Sequence, residues 1–299
     1  MTRAFPPDIV VLDSERLIHA RLGRGTKNPQ ILQAKSYRLA EDTFTPSVVT
    51  PELANEAALT EVLRRLRLET GKWEKVSLLL PDSWFRANIA DIASLPERSR
   101  TEADEMVRWS LKRTLPIPPE SLRVAWETLS RKDGSARVFV LAAVDKTLAA
   151  IENLFAVNGM EVVLIETIGL NIWNAITARE QATAADRLFL YLREQEFTAV
   201  VFRGTQPLFI RTRNLNSERN VAQEMKLSAS YLRESLQSTK IENCYVAGNE
   251  VDREILSVIG SEFSAPVTTI SLSDVTELTP SGTAGYETEL TACSGVFSG

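Results

Sequence analysis

The 299-residue chain carries one histidine, His19, and two cysteines, Cys244 and Cys293, far apart in sequence. A structural zinc site needs four imidazole or thiolate ligands, and a cysteine protease needs a thiol beside a base. Three scattered groups supply neither, nor the closely spaced pair of a thioredoxin-type motif. No catalytic residue and no metal site is expected. His19 alternates within an expected strand, where a structural imidazole is the plainer reading and a pH switch the sharper one. Cys244 falls in an expected buried strand as a small hydrophobe, and Cys293 lies in the tail. Glu102, Asp104 and Glu105 have the density of a metal site, yet acids at a helix start complement its dipole. Arg64, Arg65 and Arg67 could meet lipid head groups or an acidic partner, or form the solvated face of a helix. Gly23-Arg-Gly25 is no phosphate loop, because no helix follows it. Trp84, Phe85 and Trp109, near the prolines of Pro116-Ile-Pro-Pro119, could line a peptide-binding groove or pack in a core.

The chain is 44% hydrophobic and 24% charged, with a formal net charge of −5. Those proportions belong to an ordinary globular protein, and the length suggests two domains or one duplicated design. The mild negative charge argues against nucleic acid as a partner. The first apolar run, Ile9–Leu12, ends at Asp13 and is too short for the core of a signal peptide. No apolar run of about 18 residues occurs, so no membrane helix is expected. A cytoplasmic protein that meets a membrane only through a partner is the expectation.

The elements that must position these residues come in two similar series. Ile9–Leu12, Leu17–Leu22 and Ile31–Leu39 read as three consecutive strands, a meander. A helix expected from Pro51 runs to Gly71, followed by the strand Val76–Leu80. Thr101-Glu-Ala-Asp104 looks like a capping box for a helix closed by Lys112 and Arg113 and stopped at Pro116. The strand Arg137–Val144, a helix capped by Asp145 and the strand Glu161–Ile165 make an α/β unit. A helix from Gly169 to about Arg179 leads to the polar stretch Gln181–Asp186, the best domain boundary. The opening pattern then returns as the strands Arg187–Leu192, Phe197–Phe202 and Leu208–Thr212. A helix over Glu218–Ser238, with a stripe from Val221 to Leu236, and the strand Asn243–Ala247 follow. The helix Val251–Phe263 and the strand Val267–Ile270 come last, before a Ser/Thr/Gly-rich tail of low expected order.

Two halves that each open on a meander and continue α–β–α resemble the actin-like (ribonuclease H-like) ATPase architecture. More specific text lies in the first half: Leu80-Pro-Asp-Ser83, Leu95-Pro96, Val107-Arg-Trp-Ser-Leu111 and Leu115-Pro-Ile-Pro118. With Val140-Leu-Ala-Ala-Val144 and Asn158-Gly-Met-Glu-Val-Val163, it resembles the PilM family of type IV pilus assembly proteins. The GspL family of type II secretion is a near competitor that continues into a membrane helix. The resemblance implies residues 1–180 as a first domain, subdomain 1A with a 1C-type insert at about 82–164. Residues 181–299 would form subdomain 2A with a flexible C-terminal tail. It also implies a cytoplasmic scaffold that docks the cytoplasmic N-terminus of a PilN-like single-span inner-membrane partner. The groove for it would lie between 1A and 1C, with Trp84, Phe85 and Trp109 as candidate contacts.

Nucleotide binding is usual in the family, through two Gly-rich hairpin turns and an adenosine-side Gly-Gly loop. Phosphates need close backbone N–H groups, hence glycine, and Mg²⁺ needs a carboxylate. Asp13 and Ser14 match the first turn, but Glu15 and Arg16 follow with no glycine, and the turn is about two residues shorter. In the second turn, Tyr191 and Arg193 stand where the family has Asp and Gly. The loop Ala247-Gly-Asn-Glu250 keeps one glycine of the pair. Asp13, Ser14, Gly248 and Asn249 are thus a vestigial nucleotide site. Only residues 214–242 are available for subdomain 2B, enough for one helix. The expectation is a protein without a cofactor; ATP with Mg²⁺ is the alternative.

Overall fold

The computed structural model describes the chain except residues 1–4, 24–27, 42, 46, 48, 50, 72, 180–182, 216–219, 236–239, 250, 278, 284 and 297–299. Gly25, Glu218, Leu236, Ser238, Glu250 and the first residues of the expected boundary stretch therefore lie outside the described residues.

Continuous apolar runs make the first strands, because both faces of their sheet are covered. Strands β1 (Asp8–Leu12) and β2 (Arg16–Gly23) form a hairpin, and β3 (Gln30–Arg38) completes the meander. A short hairpin of β4 (Phe44–Thr45) and β5 (Glu52–Leu53) precedes helix α1 (Glu56–Thr70). That helix starts later than Pro51 suggests. Asn55 caps it, its side chain accepting from Ala58 N–H, while Pro51 precedes β5. Strand β6 (Lys75–Leu80) lies parallel to β1.

Strand β7 (Arg86–Ile92), helix α2 (Arg100–Ser110), β8 (Leu122–Lys132) and β9 (Ser135–Val144) make a separate unit with its own core around Val107, Leu111 and Val138. Its antiparallel sheet has the order β7-β9-β8. Ser99, not Thr101, caps α2, accepting from Glu102 N–H; Asp104 instead pairs with Arg100 and accepts from Trp126 Nε1–H at 2.7 Å. Helix α3 (Asp145–Val157) opens without a side-chain cap, Asp145 being its first residue, and β10 (Glu161–Thr167) rejoins the first sheet. Helix α4 (Ile168–Thr177) closes this half.

The second half repeats the first. Strands β11 (Asp186–Arg193), β12 (Glu196–Arg203) and β13 (Gln206–Asn214) form the meander. One described helix, α5 (Val221–Ser235), leads to β14 (Ile241–Gly248), then α6 (Arg253–Phe263) and β15 (Val267–Thr269). The sheets run β10-β6-β1-β2-β3 and β13-β12-β11-β14-β15, the same topology twice.

The tail corrects the expectation of low order. Helices α7 (Leu272–Val275) and α8 (Glu287–Gly295) follow, and α8 is buried from Glu289 to Gly295. It packs on α4, β1 and β2 of the first half. Glu277 carboxylate and N–H bond Asn28 N–H and Pro29 carbonyl at 2.9 and 3.1 Å, tying the same segment to the loop before β3. One apolar core therefore joins both halves: Ile9, Val11 and Ile172 share it with Phe189, Tyr191, Leu290 and Cys293.

Candidate functional site

The β1–β2 turn, the β11–β12 turn, the end of β14 and the start of α8 meet in the cleft between the halves. Asp13 staples its own turn: Oδ1 accepts from Glu15 N–H at 2.7 Å and Arg16 N–H at 3.2 Å. An aspartate so used makes a tight hairpin without glycine. Oδ2 faces the other half and takes the Arg193 guanidinium at 3.1 Å, while Glu289 of α8 takes it at 3.2 Å. Both carboxylates are 2% exposed, so Arg193 bridges two acids shielded from water. Thr288 donates to Asn249 Oδ1 at 2.5 Å, and Asn249 Nδ2 reaches Glu289 at 3.5 Å. Asp13, Arg193 and Asn249 are thus brought together, with Ser14 on the rim beside Asp13. Gly248 has a packing reason of its own. Its φ is +137°, and a Cβ there would stand 1.8 Å from the Leu192 carbonyl oxygen.

Beneath this triad lies a second polar layer. Asp82 accepts from Gly169 N–H and the Thr198 hydroxyl, each at 2.7 Å. Glu196 accepts from Ser83 N–H at 3.0 Å and from its hydroxyl at 2.5 Å. Burial, then the charge of Glu196, pushes the Asp82 carboxyl up to about 7. Burial likewise raises Glu196 and Glu289, against the lowering effects of Ser83 and Arg193 on the first and of Arg193 on the second.

What remains open between Asp13, Glu15, Pro81, Arg193 and Glu196 is about 80 Å³. Cavities for nucleotide-sized ligands run to about 300 Å³ or more. These residues do not fit a triphosphate: the space is small, the second turn offers a guanidinium bound to acids, and Glu15 and Glu194 line the opening.

The three aromatic residues do not share a groove. Trp84 is 2% exposed and packs edge-on against Phe44 at 5.4 Å, and Phe85 is 4% exposed in the same core. Trp109, on α2, is 55% exposed with Lys112 above its ring. Trp109 is the accessible member of the set. His19 is fully buried, bonded to Asp8 at 2.9 Å and stacked on Trp73 at 5.0 Å, a structural role. Glu289 and Asp82 are the site residues that sequence reasoning missed. Leu80-Pro-Asp-Ser83 contained Asp82, but nothing local marks it as facing Gly169 and Thr198.

Two meander-led α/β halves facing across a cleft, with a small sheet inserted in the first, define an actin-like ATPase fold. The sequence matches no protein-family model and no curated protein. A chain of the PilM-PilN type IV pilus biogenesis complex is similar over 97% of both chains, with TM-score 0.75 and 17% identity. A Bacteroides thetaiotaomicron protein of actin-like ATPase fold and unknown function gives 0.54 at 13% identity, covering 90% of this chain and 91% of its own. The cytoplasmic domain of EpsL, an inner membrane component of the Vibrio cholerae type II secretion system, gives 0.51 at 13% identity, covering 97% and 94%. The fold is that of the PilM-like actin-like proteins.

Proposed function

We propose that the protein is a non-catalytic cytoplasmic scaffold of a type IV pilus machine, docking the cytoplasmic N-terminal segment of a single-span inner-membrane protein of PilN type. The observation that carries this reading is the Arg193–Asp13–Glu289 triad, which fills with the protein's own charges the cleft where relatives of this fold would hold nucleotide. Likeness over the whole chain to a component of the PilM-PilN complex supports the machine, and no described helix is long and apolar enough to cross a membrane. Docking falls on the insert, where α2 presents Trp109 and Met106 to solvent. An exposed aromatic anchor of this kind is a common binding hot spot.

Isothermal titration separates this reading from its rivals. A peptide of the partner's N-terminus binds in the micromolar range or tighter without nucleotide, and Trp109→Ala weakens it about tenfold or more, close to 1.4 kcal/mol. MgATP gives no saturable heat. A dissociation constant for MgATP below about 10 μM, near 7 kcal/mol of affinity, would establish the actin-like ATPase instead. Binding to a type II secretion partner in place of the pilus one would move the same scaffold to the machine that EpsL serves.

A further inference from the structure

Strand β7 is one edge of the inserted sheet and β13 one edge of the second large sheet, and these two edges face each other. The cleft between them holds about 220 Å³ and receives Arg86 from β7, Arg137 from β9, and Arg211 and Arg213 from one face of β13. Phe209 and Tyr231, stacked at 4.8 Å, close one wall.

The four guanidiniums are held differently. Arg211 is held by Glu224 at 2.8 Å, Arg137 donates to the Leu208 carbonyl at 3.3 Å and Arg213 to the Thr212 carbonyl at 2.9 Å. No acid among the described residues pairs with Arg86, and its Nε is buried without a hydrogen-bond partner. Burial, then the Arg211 charge, lowers its pKa. No acidic side chain lines this cleft among the described residues. Arginine on a sheet edge can serve only to block edge-to-edge pairing, but that role keeps the charge in water. A guanidinium turned inward beside another cation is costly unless an anion joins it.

We infer that the cleft between β7 and β13 is a binding site for a phosphate or diphosphate group, with Arg86 as its inner ligand and Arg137, Arg211 and Arg213 around it. Guanidinium forks match phosphate oxygens two at a time, and several arginines on one anion are the usual means of holding it. The space holds about seven waters at roughly 30 Å³ each, enough for a diphosphate but not for a whole nucleotide within the cleft. The anion bridges the insert and the second half, fastening the orientation of the sheet that carries Trp109. This site is separate from the interdomain cleft and stands whether or not the docking proposal does.

The test is isothermal titration and thermal melting of the full chain with sodium pyrophosphate and, separately, ADP, at constant ionic strength. Pyrophosphate binds saturably below about 1 mM and raises the Tm by about 2 °C or more at saturation. Arg86→Met weakens binding more than tenfold, yet melts higher than the parent without anion, since an unpaired buried charge is gone. Arg213→Gln provides the same binding readout should R86M fail to fold. ADP binding that R86M abolishes assigns the site to a nucleotide-borne diphosphate; binding of pyrophosphate alone assigns it to the bare anion. No saturable binding of either, or binding unchanged in both variants, overturns the inference.

Discussion

Arg193 decides the character of the cleft. A glycine in that turn would leave backbone N–H groups bare for a phosphate; a guanidinium there claims Asp13 and Glu289 for itself. Breaking a buried ion pair by removing one partner is strongly destabilising, because the other charges stay desolvated. Arg193→Ala is accordingly expected to cost about 3 kcal/mol, read as a lower urea midpoint with unchanged slope. A loss within about 0.5 kcal/mol would mean that the triad is solvated. Asp82 gives the second expectation at this scale. Its folded pKa near 7 lies above the unfolded value, so the native state holds a proton that the unfolded chain has released. The resulting stabilisation is complete below the unfolded pKa and is lost as pH rises through 7. Between pH 5 and 8.5, the urea midpoint of the parent should fall relative to that of Asp82→Asn, which cannot ionise; parallel profiles would refute the assignment. The sequence alone revealed half of this site. The missing glycines at Glu15 and Arg193 are visible as residue types, whereas their replacement by an internal ion pair needs Glu289, nearly a hundred residues further on.

At the scale of elements, legibility followed exposure. The two meanders stood out because a long apolar strand between turn residues has few other readings. Helix α8 did not, and the reason is physical: buried from Glu289 onward, it has no polar face to set against an apolar stripe. The spacing from Tyr286 to Phe297 is only marginally helical, and Gly295 is there for close approach. Gly295 lies against α4 so tightly that a Cβ would stand 1.8 Å from the Asn171 carbonyl oxygen. Gly295→Ala should therefore push α8 off α4 and cost about 2 kcal/mol or more, measured by thermal or urea unfolding. A neutral result would show that the helix can shift at no cost. Trp84 and Phe85 had two readings, since aromatic residues are enriched in cores and in interfaces alike, and the contact with Phe44 places Trp84 in the core.

For the whole molecule, the shared core outweighs the duplication. Ile9 and Val11 of the first sheet, Phe189 and Tyr191 of the second and Leu290 of α8 lie in one apolar cluster. Calorimetry should show a single transition, with calorimetric and van't Hoff enthalpies in a ratio close to one. Two resolved transitions would mean that the halves are independent domains after all. The return of the tail adds a mechanical property. The chain crosses from the first half to the second after α4 and crosses back before α8. A body joined by two separate crossings is held at two points rather than one. Tension applied to the second half is shared between two strands of backbone.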